Sequence, residues 1–152
     1  MPQITTNKQA LHDYQVLDKA EAGIVLSGPE VKAVKNGQIN LKGSHISIDP
    51  KSEVWLIGTH ISPYKPASAN QKDYRPTRDR KLLLNHKEID QLRGKSKEKG
   101  LTILPISVYT RGSLIKVEIA VVRGKKHYDK RETIKRREID REIRRKVRHS
   151  SR

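Results

Sequence analysis

Six histidines and seventeen carboxylates are the side chains best suited to acid–base or metal chemistry, and their spacing assembles no site. His12, His45, His60, His86, His127 and His149 are scattered, with no His-x-x-x-His or Glu-x-x-His pair at metal-ligand spacing. The absence of cysteine removes thiolate catalysis, zinc ribbons and disulfides. No Gly-x-Ser-x-Gly elbow or phosphate-cradling glycine loop occurs. Gly124-Lys125-Lys126 has the look of a Walker loop's end, but the upstream glycine and the metal-binding Ser/Thr are missing. No catalytic residue, metal or cofactor is expected. A metal-free nuclease built on His12 and Asp13 is the enzymatic alternative.

The chemistry that the composition does favour is the binding of phosphate. The 152 residues carry a formal charge of +16. Lys and Arg clusters supply affinity for nucleic acid by releasing its counterions. The charge is uneven: residues 123–152 hold 14 Lys/Arg against 5 Asp/Glu, and residues 1–122 hold 19 against 12. A basic run alone is often a solvated tail. Here basic residues recur upstream, in Arg75–Lys81, Lys95–Lys99 and Lys116. Tyr74 and Tyr128 lie beside some of them, and such rings can stack on unpaired bases, although packing explains a tyrosine equally well. DNA is not expected as a partner, because helix-turn-helix, zinc-finger and zipper patterns are absent. With no Phe, the aromatic signature of an RRM sheet is absent too. Folded RNA, read by shape and backbone, fits best. A membrane is not expected: the longest apolar runs, such as Val54–Ile57, have four residues where a spanning helix needs about 20. Met1–Asn7 also lacks an export-signal pattern, so the cytoplasm is the expected location.

The elements that must carry these residues are mostly strands. Ile115, Val117, Ile119 and Val121 alternate with Lys116, Glu118 and Ala120, the period of a half-buried strand. Leu101–Tyr109 precedes it across Arg111-Gly112, which predicts a hairpin with Pro105 at an edge or bulge. A second hairpin pairs His45–Ile48 with Val54–Ile57, and Tyr14–Leu17 and Gly23–Leu26 complete about six strands. One helix starts at Asn85, a cap with Glu88 placed for a capping box, and stops near Gly100. A shorter one spans Glu30–Lys35. Pro63–Arg80 reads as a long exposed loop. The pattern predicts an all-β fold with short helices, a closed OB-like barrel over residues 1–122. Residues 123–152 form a basic tail. There Ile139, Ile143 and Val147 give helical spacing without a core face of their own, which predicts disorder until a polyanion neutralises the charge.

Several blocks together resemble the SsrA-binding protein family, also called small protein B. They are Asn7-Lys8 through His12-Asp13-Tyr14, Glu21-Ala22-Gly23-Ile24-Val25-Leu26 with Gly28 and Glu30-Val31-Lys32, and His60-Ile61-Ser62-Pro63-Tyr64. Arg80–Asn85, Lys99–Thr102, Lys116–Ala120 and Gly124–Lys135 follow in order. The resemblance implies an OB-type barrel that binds the tRNA-like part of transfer-messenger RNA. It also implies delivery of that RNA to stalled ribosomes for trans-translation, without covalent chemistry. It assigns RNA binding to His12, Tyr14, Glu21, Leu83, Asn85 and Lys116. Leu83 can equally be core, and Asn85 a helix cap. Glu21, an acid on a polyanion-binding protein, would orient a neighbouring base or arginine. The ribosome-engaging tail, set at the decoding region and messenger channel of the small subunit and its rRNA, would use Gly124, Lys125, Lys126, Tyr128, Asp129, Lys130 and Arg131, with Ile143, Arg144 and Arg145. Gln9 and Leu11 replace residues that are often basic in relatives, and His45 replaces a common tyrosine. Tyr128 stands where some relatives have histidine, which preserves stacking but not a protonated imidazole. A structural rRNA-binding protein is the alternative within the binding class.

Overall fold

The computed structural model describes residues 3–64 and 73–125. The tail residues Lys126, Tyr128, Asp129, Lys130, Arg131, Ile143, Arg144 and Arg145 lie outside them. Among the described residues, nine strands and three helices follow in the order β1 (Gln3–Thr6), α1 (Lys8–Asp13), β2 (Tyr14–Ile24), α2 (Gly28–Lys35), β3 (Ile39–Asn40) and β4 (His45–Ile48). They continue with β5 (Val54–Ile57), β6 (His60–Ile61), β7 (Arg80–Leu83), α3 (His86–Ser96), β8 (Leu101–Arg111) and β9 (Leu114–Gly124).

Seven strands form one antiparallel sheet in the order β1-β8-β9-β2-β7-β5-β4, and β3 and β6 make a separate ribbon. The two predicted hairpins are present. Gly112-Ser113 turns β8 into β9 with Gly112 at positive φ, where a residue without Cβ fits. In the β4–β5 turn, Asp49 accepts from the Lys51 and Glu53 amides and from Trp55 Nε1 at 2.8–3.0 Å. The two short strands expected around Tyr14 and Gly23 are one eleven-residue strand, β2. It stays continuous because β9 pairs along nearly its whole length, from Tyr14↔Gly124 to Gly23↔Lys116, with a bulge between Val16 and Asp18.

The sheet curls so that β4 comes alongside β8, and the concave side holds an aliphatic core. Ala22, Val54, Leu56, Leu82, Val108, Val117, Ile119 and Val121 meet Val34 of α2 and Leu92 of α3 there. The other face of β8 and β9 is buried as well, because Ala10 of α1 packs on Leu104, Ile106, Ala120 and Val122. That explains the run of buried residues from Ile103 to Tyr109, where a one-sided strand would alternate.

The expected closure of the barrel is not found: among the described residues no ladder joins β4 to β1 or β8. At this seam β8 carries Pro105, which has no N–H, and a bulge lies between Pro105 and Ser107. Asn7 bridges the seam instead. Its buried amide donates to Pro105 O at 3.0 Å and Leu41 O at 3.5 Å, while its oxygen caps α1 through the Ala10 amide. Helix α1 and its cap were not predicted, since six residues give too short a period to see. At α3 the Asn85 cap is present, accepting from the Glu88 amide at 2.8 Å. The reciprocal capping box forms at α2, between Ser27 and Glu30. Helix α3 ends at Ser96, and Gly100 sits at positive φ one turn later, just before β8.

Candidate nucleic-acid interface

The sequence-predicted contact residues fall into two groups at opposite ends of β2. Tyr14 and Gly23 are nine residues apart, roughly 30 Å along a strand.

At the far end, pairing builds one row across five strands: Gln3↔Tyr109, Tyr109↔Lys116, Lys116↔Gly23 and Gly23↔Leu83. Directly paired residues share a face, so Tyr109, Lys116 and Leu83 flank Gly23 on the convex side. Gly23 lets Leu83 sit close: a Cβ there would lie 3.3 Å from Leu83 Cβ. Leu83 is 53% exposed and Leu114 59%, so Leu83 is not the core residue it could have been. With Gly23, Val31, Ser113 and Lys116 they line a groove of about 270 Å³. An apolar groove with a lysine at its wall can take the face of a base and the phosphate beside it. Asn85, two residues after Leu83, is exposed, and its side-chain oxygen is committed to the α3 cap.

Glu21 lies one step inward on the same face, paired with Glu118. It is not an isolated acid. Its carboxylate accepts one hydrogen bond from the Tyr109 hydroxyl and another from Arg111 Nη1, the latter at 3.0 Å. The Tyr109 bond foremost, and Arg111 next, outweigh burial and hold the Glu21 pKa below the usual carboxylate value. Burial, then the facing Glu21 carboxylate, pushes the Tyr109 hydroxyl up to about 12. The triad is therefore a neutral phenol, a carboxylate and a guanidinium at neutral pH. Tyr109, Arg111 and Leu114 were missed as site residues. The available signal was the hairpin register, which sets Tyr109 beside Lys116 as soon as Gly112-Ser113 is taken as the loop.

At the near end, His12 is largely exposed with Nδ1 2.9 Å from Asp13 Oδ1. Tyr14 pairs with Gly124, and its ring passes 3.6 Å from where a Gly124 Cβ would be. Lys125 N donates to Asp13 O at 3.2 Å. Thus His12 and Tyr14 share their end with Gly124 and Lys125, where the basic segment leaves the sheet. A second groove, about 390 Å³, opens here at the seam between Tyr14, Lys42, His45 and Thr102.

Not all predicted basic clusters are available to a partner. Arg80 is fully buried in β7, and donates to Glu30 Oε2 at 2.7 and 3.0 Å and to Thr59 O at 2.6 Å. Arg78 donates to both oxygens of the same carboxylate, and Tyr74 donates to Ile61 O at 2.8 Å and reaches Glu30 at 3.1 Å. Tyr74 is thus a packing residue. Of the predicted exposed loop, residues 65–72 lie outside the described residues; Arg75, Thr77 and Asp79 are exposed, but Tyr74, Arg78 and Arg80 tie the stretch to Glu30 of α2. Lys95 pairs with Asp18 at 2.6 Å. Among the described residues no group of three His, Asp or Glu side chains could hold a metal ion. No described helix is long and apolar enough to cross a membrane.

A family model described as SmpB protein matches residues 4–149. The SsrA-binding protein of Sulfurihydrogenibium sp. is 53% identical over 140 residues, 92% of this chain and 90% of that one. The SsrA-binding protein of Oleidesulfovibrio alaskensis is 48% identical over 144 residues, 95% and 91% of the two chains. Among solved structures, a chain from work described as "tmRNA-SmpB: a journey to the center of the bacterial ribosome" matches with a TM-score of 0.67 and 38% identity. That match covers 81% of this chain and 85% of the other.

Proposed function

The chain belongs to the SmpB protein family, and from that premise we propose how it works as an RNA-binding factor of trans-translation. Its partners are transfer-messenger RNA and the ribosome. The tRNA-like part of the RNA lies across the convex face of β2, β7 and β9, and the protein carries it to stalled ribosomes. The observation that carries this placement is the row Lys116–Gly23–Leu83. It sets a cation, a close-approach glycine and an exposed leucine side by side, over a groove fit for an unpaired base. Lys116 meets phosphate, Leu83 packs on the RNA, and Glu21 orients a neighbour. Asn85 has its amide nitrogen to offer, since the cap uses the oxygen.

Residues 1–122 form the RNA-holding body and 123–152 the ribosome-engaging segment. The near-end group, His12 and Tyr14 beside Gly124 and Lys125, supports this division, because it ties the start of the segment to the body. The protein acts by binding and not by catalysis, and it works where bacterial ribosomes work, in the cytoplasm.

Sequencing the RNA that co-purifies with the full chain tests the assignment. One dominant small RNA with a tRNA-like end is expected. Recovery of rRNA fragments alone would mean a permanent ribosome component instead.

A further inference from the structure

An acidic side chain on a surface that binds a polyanion should weaken binding through repulsion. Glu21 is such a residue, and its surroundings give it another use. Arg111 ends β8 and is 61% exposed at its side chain, yet one nitrogen is fixed, Nη1 on Glu21 Oε1 at 3.0 Å. Glu21 is itself held from the other side by the Tyr109 hydroxyl. Tyr109 is buried at 9% exposure and reaches Glu21 across β9, so the carboxylate cannot follow a mobile arginine. Among the described residues, Arg111 Nε and Nη2 donate no hydrogen bond. A guanidinium has five donors in a planar fork, so one anchored corner restrains the group and leaves its other donors for a partner.

We propose that Arg111 is a phosphate ligand of the bound RNA, and that Tyr109 and Glu21 are positioning residues acting through it. This rests on the reading that RNA lies across the convex face. Arg111 stands on the Tyr109 strand, two residues beyond the row that carries Lys116, so the two cations bracket one stretch of backbone. The anchored fork loses less conformational freedom on binding than a free side chain would. Lysine would not serve as well, because its single ammonium cannot satisfy Glu21 and grip a phosphate in a set plane.

The test titrates the full-length protein against a labelled transcript of the tRNA-like part of transfer-messenger RNA, from 50 to 200 mM salt. Arg111→Ala should weaken binding about tenfold or more. It should also reduce the slope of log affinity against log salt by about 0.7–0.9, the loss of one phosphate contact. Arg111→Lys should keep the slope and lose part of the affinity. Glu21→Ala removes a negative charge, so repulsion alone would tighten binding. The positioning role instead predicts weaker binding and, in an Arg111→Ala background, no further weakening. Tyr109→Phe should behave like a milder Glu21→Ala. Melting temperatures of all variants identify any that are merely unfolded. The proposal is overturned if Arg111→Ala leaves the slope unchanged, or if Glu21→Ala costs the same with and without Arg111. If Lys116→Ala weakens binding while Arg111→Ala does not, the RNA face stands and only this proposal fails. Failure of the wild-type chain to bind the transcript would instead remove the reading beneath it.

Discussion

Arg80 Nη2 donates to Glu30 Oε2 at 2.7 Å, and neither side chain has any exposed surface. Burial works to raise the Glu30 pKa, but bonds from Arg78, the Ser27 amide and Arg80 outweigh it and hold it at about 2, against an ordinary 4.5. A carboxyl with a depressed folded-state pKa stabilises fully above its unfolded value and loses that contribution as pH falls through its folded one. Glu30→Gln should therefore cost about 3–5 kcal/mol at neutral pH, since it leaves Arg80 buried without its counter-charge. The gap between wild type and variant should narrow as pH falls from about 4.5 towards 2. Urea unfolding of both proteins across that range checks it. A gap that stays constant down to pH 2 would show that the pair does not set the acid limb.

The same cluster removes two cations from the RNA inventory. Arg78 spends Nε and Nη2 on Glu30 and Nη1 on the Asp79 carbonyl, and Arg80 is inaccessible. Arg78→Ala should lower the melting temperature yet leave the salt slope of RNA binding unchanged. Lys116→Ala should reduce the slope by about one unit or slightly less and leave the melting temperature near wild type. Parallel salt titrations and thermal melts of the two variants separate these cases. A reduced slope for Arg78→Ala would mean that the arginine leaves Glu30 when RNA binds.

What the sequence disclosed depended on the range over which each signal acts. The β8–β9 hairpin and the Asn85 cap were legible because alternation, turn residues and caps are local. The pinning of Arg80 was not, since Glu30 lies fifty positions away and a buried arginine has the same letter as an exposed one. The seam was misread for a related reason. Barrel closure is a long-range event, and a proline with an adjacent bulge shows only that a ladder is interrupted, not which side chain bridges the gap. Of the site, Lys116 was legible as a basic residue on a predicted strand, and Leu83 came through the family resemblance. Their adjacency across Gly23 needed the register, and so did the partners of Glu21.

Gly23 offers a direct probe of that adjacency. Its φ is not in the left-handed region, so alanine meets no backbone penalty there. The added Cβ would sit 3.3 Å from Leu83 Cβ, so Leu83 must yield by a few tenths of an ångström. Gly23→Ala should cost little stability, under about 1.5 kcal/mol as a small overpacking on an exposed face. It should still weaken transfer-messenger RNA binding several-fold, because it displaces Leu83 and fills the floor between Leu83 and Lys116. Gly23→Val should do more of both. Binding titrations with chemical-denaturation curves decide it. Unchanged affinity in a folded Gly23→Val protein would move the RNA off this row.

Tyr14 and Gly124 face each other across the β2–β9 ladder, so the basic segment leaves the body at the end of β2 remote from Lys116 and Leu83. At roughly 30 Å, about three to four Debye lengths at physiological salt separate the two places. Charge on the departing segment is therefore screened from the Lys116 row unless the chain folds back. Deleting residues 132–152 should leave affinity for transfer-messenger RNA within a few-fold of wild type, while tagging on stalled ribosomes is abolished. Lys116→Ala should act first on RNA affinity, and tagging should recover when RNA is in excess. Filter binding paired with a reconstituted tagging reaction measures both. If the deletion removes most of the RNA affinity, the nine Lys/Arg residues it takes away are part of the RNA-holding surface, and the two ends of β2 do not divide the work.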